Sequence, residues 1–344
     1  MNEPALTAFI DAKTLGLRRV FGRIGFIWVL LMLTIVAGAF SSPVFLTMNN
    51  FFNILIGSAA LGCLVLAQAP VLLLGKFDLS TEANMIFVAI LGTLVMTQPV
   101  ATSMGSGVFQ GGGLGLAWPL GIATMVLVAA FVGLLNGLMI IKLRMNAFMA
   151  TLAVSIILGG LALFLSEGRT LFDLPPAFRW VGSAKIGPAP VAAIFLLLLF
   201  GLAHIFLSRT VFGRRLYAVG SSPEAARASG IDVDRVAIIA YVLCGALSGV
   251  AAFILVGRLG TASAGISNGA LFLSIAAAVI GGVSLFGGKG TAAGMLGGLL
   301  IISVINNAMN LAAIPANMIR IVAGAAILLA VFVDAMRTRA LTKR

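Results

Sequence analysis

Long apolar runs, broken by short polar or glycine-rich segments, cover nearly the whole chain. Ten of them have the length of membrane helices: about 25–42, 53–74, 79–97, 117–141, 147–166, 189–208, 236–256, 267–286, 292–312 and 317–335. Each holds close to the roughly 20 apolar residues a helix needs to cross hydrocarbon. The third and eighth runs carry polar or glycine-rich ends. The pattern predicts an all-α polytopic membrane protein of about ten transmembrane helices. A basic, weakly amphipathic segment (1–24) precedes the membrane domain (25–336), and a basic tail (337–344) follows it.

One polar island, Gly220-Ser-Ser-Pro-Glu-Ala-Ala-Arg-Ala-Ser-Gly230, carries complete helix punctuation between two apolar runs. Ser221 or Ser222 suits an N-cap, Pro223 a first turn, and Glu224 the positive end of the helix. Gly230 is a natural stop, which gives a helix of about seven residues, or roughly 10 Å. A separate, well-formed helix is more than a connector needs, and it has the character of a piece gripped by a cytosolic partner.

Two external segments differ in kind. Residues 98–116 are uncharged and glycine-rich, a flexible loop. Residues 167–188 contain Arg169, Asp173, Phe178, Trp180 and three prolines, which predict an ordered hairpin or short helix.

Composition agrees with a bilayer as solvent: 61% of residues are hydrophobic and 9% charged. The net charge of +12 is spent on orientation. With the N-terminus in the cytosol and ten spans threaded, 17 of the 22 lysines and arginines fall on the cytosolic side, as the positive-inside rule requires. Both termini are then cytoplasmic, and nucleic acid is not a partner. The first apolar run is long enough to remain a span rather than a cleaved signal.

Enzyme chemistry has no foothold. Cys63 and Cys244 lie inside predicted spans without metal-ligand spacing and read as packing residues. His204 has no Cys or carboxylate near it in sequence, and no metal site is expected. In Gly281-Gly-Val-Ser-Leu-Phe-Gly-Gly-Lys-Gly-Thr291, Val283 takes the first glycine position of a phosphate loop and Gly290 stands where its hydroxyl belongs. The segment reads as a tight turn presenting Lys289, and the chain needs no cofactor of its own.

Polar residues within spans are costly unless they pair or line a cavity. Glu82, close to Lys76 and Asp78, reads as pairing locally or facing interfacial water rather than binding a cation. Asn84, Asn136, Asn306, Asn307 and Asn310 fit two roles equally: a path for a neutral, hydroxyl-rich solute, or hydrogen bonds between helices. Gly245/Gly249, Gly290/Gly294 and Gly294/Gly298 fit close helix packing.

Taken in order, several motifs resemble the permease subunits of ribose-type ABC sugar importers, from about residue 50 to 336. They are Asp78-Leu79-Ser80; Asn136-Gly137-Leu138 with Leu143-Arg144; Gly168-Arg169 and Leu174-Pro175; Phe212-Gly-Arg-Arg-Leu-Tyr-Ala-Val-Gly220; Glu224-Ala225-Ala226; Ser229-Gly230-Ile231 with Val233; Gly281-Gly282, Ser284-Leu285 and Gly287-Gly-Lys-Gly290; and Asn306-Asn307 with Asn310-Leu311. The resemblance implies that Gly220, Pro223, Glu224, Ala225, Ala226, Ser229 and Gly230 form the loop coupling the permease to an ATPase. It also implies a partner subunit that binds ATP, a second permease (identical or homologous), an extracytoplasmic sugar-binding protein docking near Trp180 and Arg258, and a bacterial inner membrane. The chain departs from the family pattern at Leu271 and Leu273, where acidic residues are common, at Met145-Asn146-Ala147, where two prolines usually occur, and at Lys76 and Glu82, where small residues usually stand. These positions bear on which solute is carried and whether the permease pairs with itself.

Overall fold

A computed structural model describes residues 25–97, 113–172, 174–267 and 269–315, with Met318, Ile321, Gly324, Ala325 and Leu328 beyond. The basic lead (1–24), most of the glycine-rich loop, most of the tenth expected span and the tail (337–344) lie outside the described residues. So do Asp173 and Arg320.

Nine of the ten expected runs contain a helix in the described residues: α1 (Gly25–Ala39), α2 (Met48–Leu73), α3 (Thr81–Met96), α4 (Trp118–Ile141), α5 (Ala147–Ser166), α7 (Val191–Arg209), α10 (Val233–Leu259), α11 (Ala270–Ile280) and α12 (Ala292–Leu311). Six of these, α2, α4, α5, α7, α10 and α12, are long and apolar enough to cross a membrane; α1, α3 and α11 are apolar but shorter. The protein is a multi-pass, mostly helical membrane protein. Connecting elements are α6 (Pro176–Ser183), a hairpin of β1 (Lys185–Ile186) and β2 (Ala189–Pro190), α8 (Val211–Ser221) and α9 (Pro223–Ala228).

The short helices differ from expectation for local reasons. Asp78 Oδ1 accepts from the Ser80 amide and hydroxyl, which holds 78–80 in a turn and delays α3 to Thr81. Helix α11 starts only after Gly269 and stops at Gly281, so 281–286 form a turn rather than the end of a span.

Helix α2 is the central post, with 78% of its apolar window buried, whereas α5 and α7 bury only 22% and 28% of theirs and turn the rest outward. The tightest crossing joins α4 to α10. A Cβ at Gly245 or Gly249 would strike the Ala129 or Met125 carbonyl, and one at Gly133 the Tyr241 carbonyl. Small residues let the two backbones touch, which is how helices associate where lipid is as apolar as their side chains. Gly294 and Gly298 do the same against Gly281 and Ala277. Gly290 is a correction to the expected pattern: it lies in the turn before Thr291, whose hydroxyl caps α12 by accepting from Gly294 N–H.

Candidate functional site

The polar island folds as its residues dictate. Ser222 Oγ accepts from Ala225 N–H at 3.2 Å, Pro223 occupies the first turn, and α9 runs six residues. Gly230 has φ +78°, where a side chain is strained. Around it Gly230 N–H donates to Arg227 O and Ile231 N–H to Ala226 O, each at 3.0 Å. This paired closure is the Schellman arrangement. Ala226 is the one buried residue of α9; Pro223, Glu224, Ala225, Ser229 and Gly230 are all exposed. The result is a capped peg presenting its outer surface.

The peg stands on a rigid base. Helix α8, which the apolar pattern left without an element, buries Gly213, Leu216 and Val219 and turns Arg214 and Arg215 outward. The spacing of those three buried positions was the available signal. At its end, a Cβ at Gly220 would enter the Leu73 carbonyl, and one at Gly287 would crowd Gly220 O and Gly75 N. Gly288 N–H donates to Leu73 O at 2.8 Å, and the Tyr217 hydroxyl donates to Gly290 O at 2.7 Å. Burial raises the pKa of that hydroxyl, which keeps it a donor. Three backbone segments thus meet beneath α9: the end of α2, the end of α8 and the 281–291 turn. The turn carries Lys289 and Phe286, both exposed. On the other flank, Asp234 bonds Arg227 (3.2 Å) and Lys142 (3.5 Å), tying α9 to the end of α4.

The five asparagines are not brought together. Asn84 and Asn136 are 2% and 0% exposed. Asn84 Nδ2 donates to Ala129 O and Ser248 Oγ, both at 3.1 Å, joining α3 to α4 and α10. Asn136 Nδ2 donates to Ser80 Oγ at 2.8 Å and reaches Asp78. Around this point Gln68 Nε2 donates to Asp78 O and Thr81 Oγ1, Leu79 N–H to Thr151 Oγ1, and Tyr241 OH to Phe77 O. A buried polar node therefore fixes the start of α3 against α2, α4, α5 and α10. Its members Gln68, Thr151 and Tyr241 come from three helices, a convergence that spacing along a chain does not reveal. At the far end of α12, Asn307 exchanges two hydrogen bonds with Asn50 (2.9 and 3.0 Å). Asn310 is exposed and donates to Asn306 O.

Glu82 does not pair locally, as its neighbours in sequence predicted, but with the start of α11. Its Oε1 accepts from Ala270 N–H at 3.0 Å and its Oε2 from Leu271 N–H at 3.1 Å. Cys63, Cys244 and Phe178 are fully buried, and among the described residues no cluster of His, Cys, Asp or Glu could hold a metal.

The opposite face is ordered, as 167–188 predicted. Phe178 of α6 packs edge-on against Phe253 at 5.3 Å, and Leu171 and Ala262 exchange backbone hydrogen bonds. A cleft of about 560 Å³ lies beside α6, lined by Met96, Phe172, Leu174, Pro175, Pro176, Arg179 and Gly260. Trp180 is exposed, and Arg258 lies at the end of α10 near Gly57 with no ion pair among the described residues.

Comparison with known proteins agrees with this architecture. The ribose import permease protein RbsC of Escherichia coli K12 is 33% identical over 297 residues, 85% of this chain and 88% of the relative. The protein of the same name from Bacillus subtilis is 34% identical, covering 88% of this chain and 90% of its own length. The L-arabinose ABC transporter permease protein AraH of Azospirillum brasilense is 30% identical, covering 94% and 90%. No solved structure matches the chain. Residues 50–331 match the model of a family described as branched-chain amino acid transport system / permease component, and the chain belongs to that family.

Proposed function

We propose that this chain is the membrane subunit of an ATP-binding-cassette importer that carries a monosaccharide or related polyol inward across a bacterial inner membrane. A separate ATPase binds ATP, an extracytoplasmic protein delivers the solute, and a second permease completes the pathway. In this reading ten spans place both termini and α9 in the cytosol, with α6 and its cleft outside, where the binding protein docks.

The observation that carries the reading is α9 on its base. Its two capped ends and single buried residue make an exposed peg, and the backbone contacts of Gly220, Gly287 and Gly288 beneath it leave little slack. A push on such a peg is delivered to α2, α8 and the 281–291 turn together. The sugar class rests on the printed names of the relatives, two of which carry ribose and one arabinose. A secondary transporter would need a free carboxylate deep in the bundle. Both oxygens of Glu82 are engaged by backbone amides, and those of the buried Asp78 by Ser80 and Asn136, which speaks against that rival.

The coupling role is tested on the complex purified from its native membrane. Glu224→Ala and Gly230→Pro leave the permease folded but lower the ATPase subunit recovered with it, and reduce uptake of a radiolabelled pentose by at least about tenfold, the equivalent of 1.4 kcal/mol. Full recovery and normal uptake in both variants would remove α9 from that role.

A further inference from the structure

The N-terminal end of α11 lacks a cap of its own. Gly269 precedes it with φ +92° and offers no side chain, and Leu271 is turned into an apolar cluster with Leu79, Ile275 and Val279. The first amides of any helix need acceptors, and inside a membrane domain an unmade bond is costly. Glu82, 188 residues away on the first turn of α3, supplies both, one carboxylate oxygen to each of two consecutive amides. The geometry is that of an anion seated on a helix N-terminus, where the aligned peptide dipoles favour negative charge.

The other end of α11 leads straight into the turn beneath α9. That turn is held to α2 by Gly288 N–H and Leu73 O, and to α8 by the Tyr217 hydroxyl. Helix α11 is therefore fastened at both ends: to the base of the peg through backbone contacts, and to the start of α3 through one charged side chain beside the apolar packing of Leu271 on Leu79. Residue Glu82 sits four positions after Asp78, so the start of α3 that it grips is the part fixed by the buried polar node.

We propose that Glu82 is a positioning residue that clamps α11 to α3, so that movement imposed on the 281–291 turn reaches the start of α3 as a displacement of α11. The proposal rests on the coupling reading given above. A glutamine there keeps one acceptor oxygen but turns its NH₂ toward the second amide, which breaks the clamp with little change of volume.

Two measurements test it, on the purified permease in nanodiscs and on the reconstituted complex with its ATPase. In Glu82→Gln, hydrogen exchange of the Ala270 and Leu271 amides quickens about tenfold, the order expected when a charge-assisted bond is lost. The ATP hydrolysed per pentose imported rises several-fold. Unchanged exchange in Glu82→Gln would overturn the clamp. Faster exchange with an unchanged ATP ratio would reduce Glu82 to a cap without a part in coupling. A wild-type complex that imports nothing with ATP would overturn the importer reading, and it is told apart by the unmodified chain alone.

Discussion

Single residues in this protein divide by what surrounds their polar atoms. Asn136 and Asn310 carry the same amide, yet one is enclosed with Ser80 and Asp78 and the other is exposed beside Asn306 O. Truncating Asn136 to alanine strips a donor from a buried carboxylate and hydroxyl, which costs about 1–3 kcal/mol. Truncating Asn310 costs under about 0.5 kcal/mol, the usual range for an exposed position. Thermal unfolding of the two purified variants in one detergent measures the difference: Asn136→Ala melts clearly below wild type and Asn310→Ala with it. Equal shifts would mean that the node at Asp78 does not hold the bundle. The sequence singles out both asparagines as costly in lipid, but not which of them is paired. The partners of Asn136, Asp78 and Ser80, lie far back along the chain, and an apolar background offers no polar face to betray the direction of a side chain. Glu82 shows the same limit. Its nearness to Lys76 and Asp78 predicts a local partner, whereas its partners are backbone amides, which leave no trace in residue identity.

At the scale of elements, local rules did most of the work wherever the helix ended in water. The caps of α9 are legible because serine, proline and glycine act through their own backbone neighbours. Its end signals, Ser222 and Gly230, fall where the structure has them. The interfacial helix α8 was missed since its apolar face is short and its arginines resemble a topology signal. The same local rules make a prediction. Ser222→Ala removes the N-cap at about 1 kcal/mol, and Gly230→Ala places a side chain in the left-handed region at about 1–2 kcal/mol. Asp234→Asn loosens two exposed ion pairs with Lys142 and Arg227, each worth under about 1 kcal/mol and screened by salt. Exchange of the α9 amides therefore quickens strongly in the first two variants and only slightly in the third, with the third effect vanishing at high salt. If Asp234→Asn frays α9 as much as Ser222→Ala, the ion pairs rather than the caps hold the peg.

For the whole molecule, the count of bilayer crossings turns in part on α11, the shortest of the three short apolar helices among the described residues. Eleven residues make a helix of about 16 Å, against a hydrocarbon core of about 30 Å. The remaining distance falls to the segment between Gly260 and Gly269, whose described residues 261–267 run without helix. Non-helical backbone survives at membrane depth only where protein or a water-filled cavity surrounds it. Ala262, fully buried and bonded to Leu171, meets that condition. In the ten-span reading a helix and an irregular arm together complete one crossing, and the 281–291 turn emerges beside α9. Cysteine labelling on intact and permeabilised cells tests this directly, because the two native cysteines, Cys63 and Cys244, are completely buried and give a silent background. Gly265→Cys and Lys289→Cys stand on exposed positions either side of α11. A membrane-impermeant maleimide is expected to label the first in intact cells and the second only after the membrane is opened. The pair Ser183→Cys and Ala225→Cys, either side of α7, is expected to divide in the same way. Were Gly265→Cys and Lys289→Cys labelled from one side while the α7 pair still divides, α11 would be a re-entrant arm. The ten-span threading would then fail at that one helix, and the cytosolic placement of α9 would stand on the α7 pair.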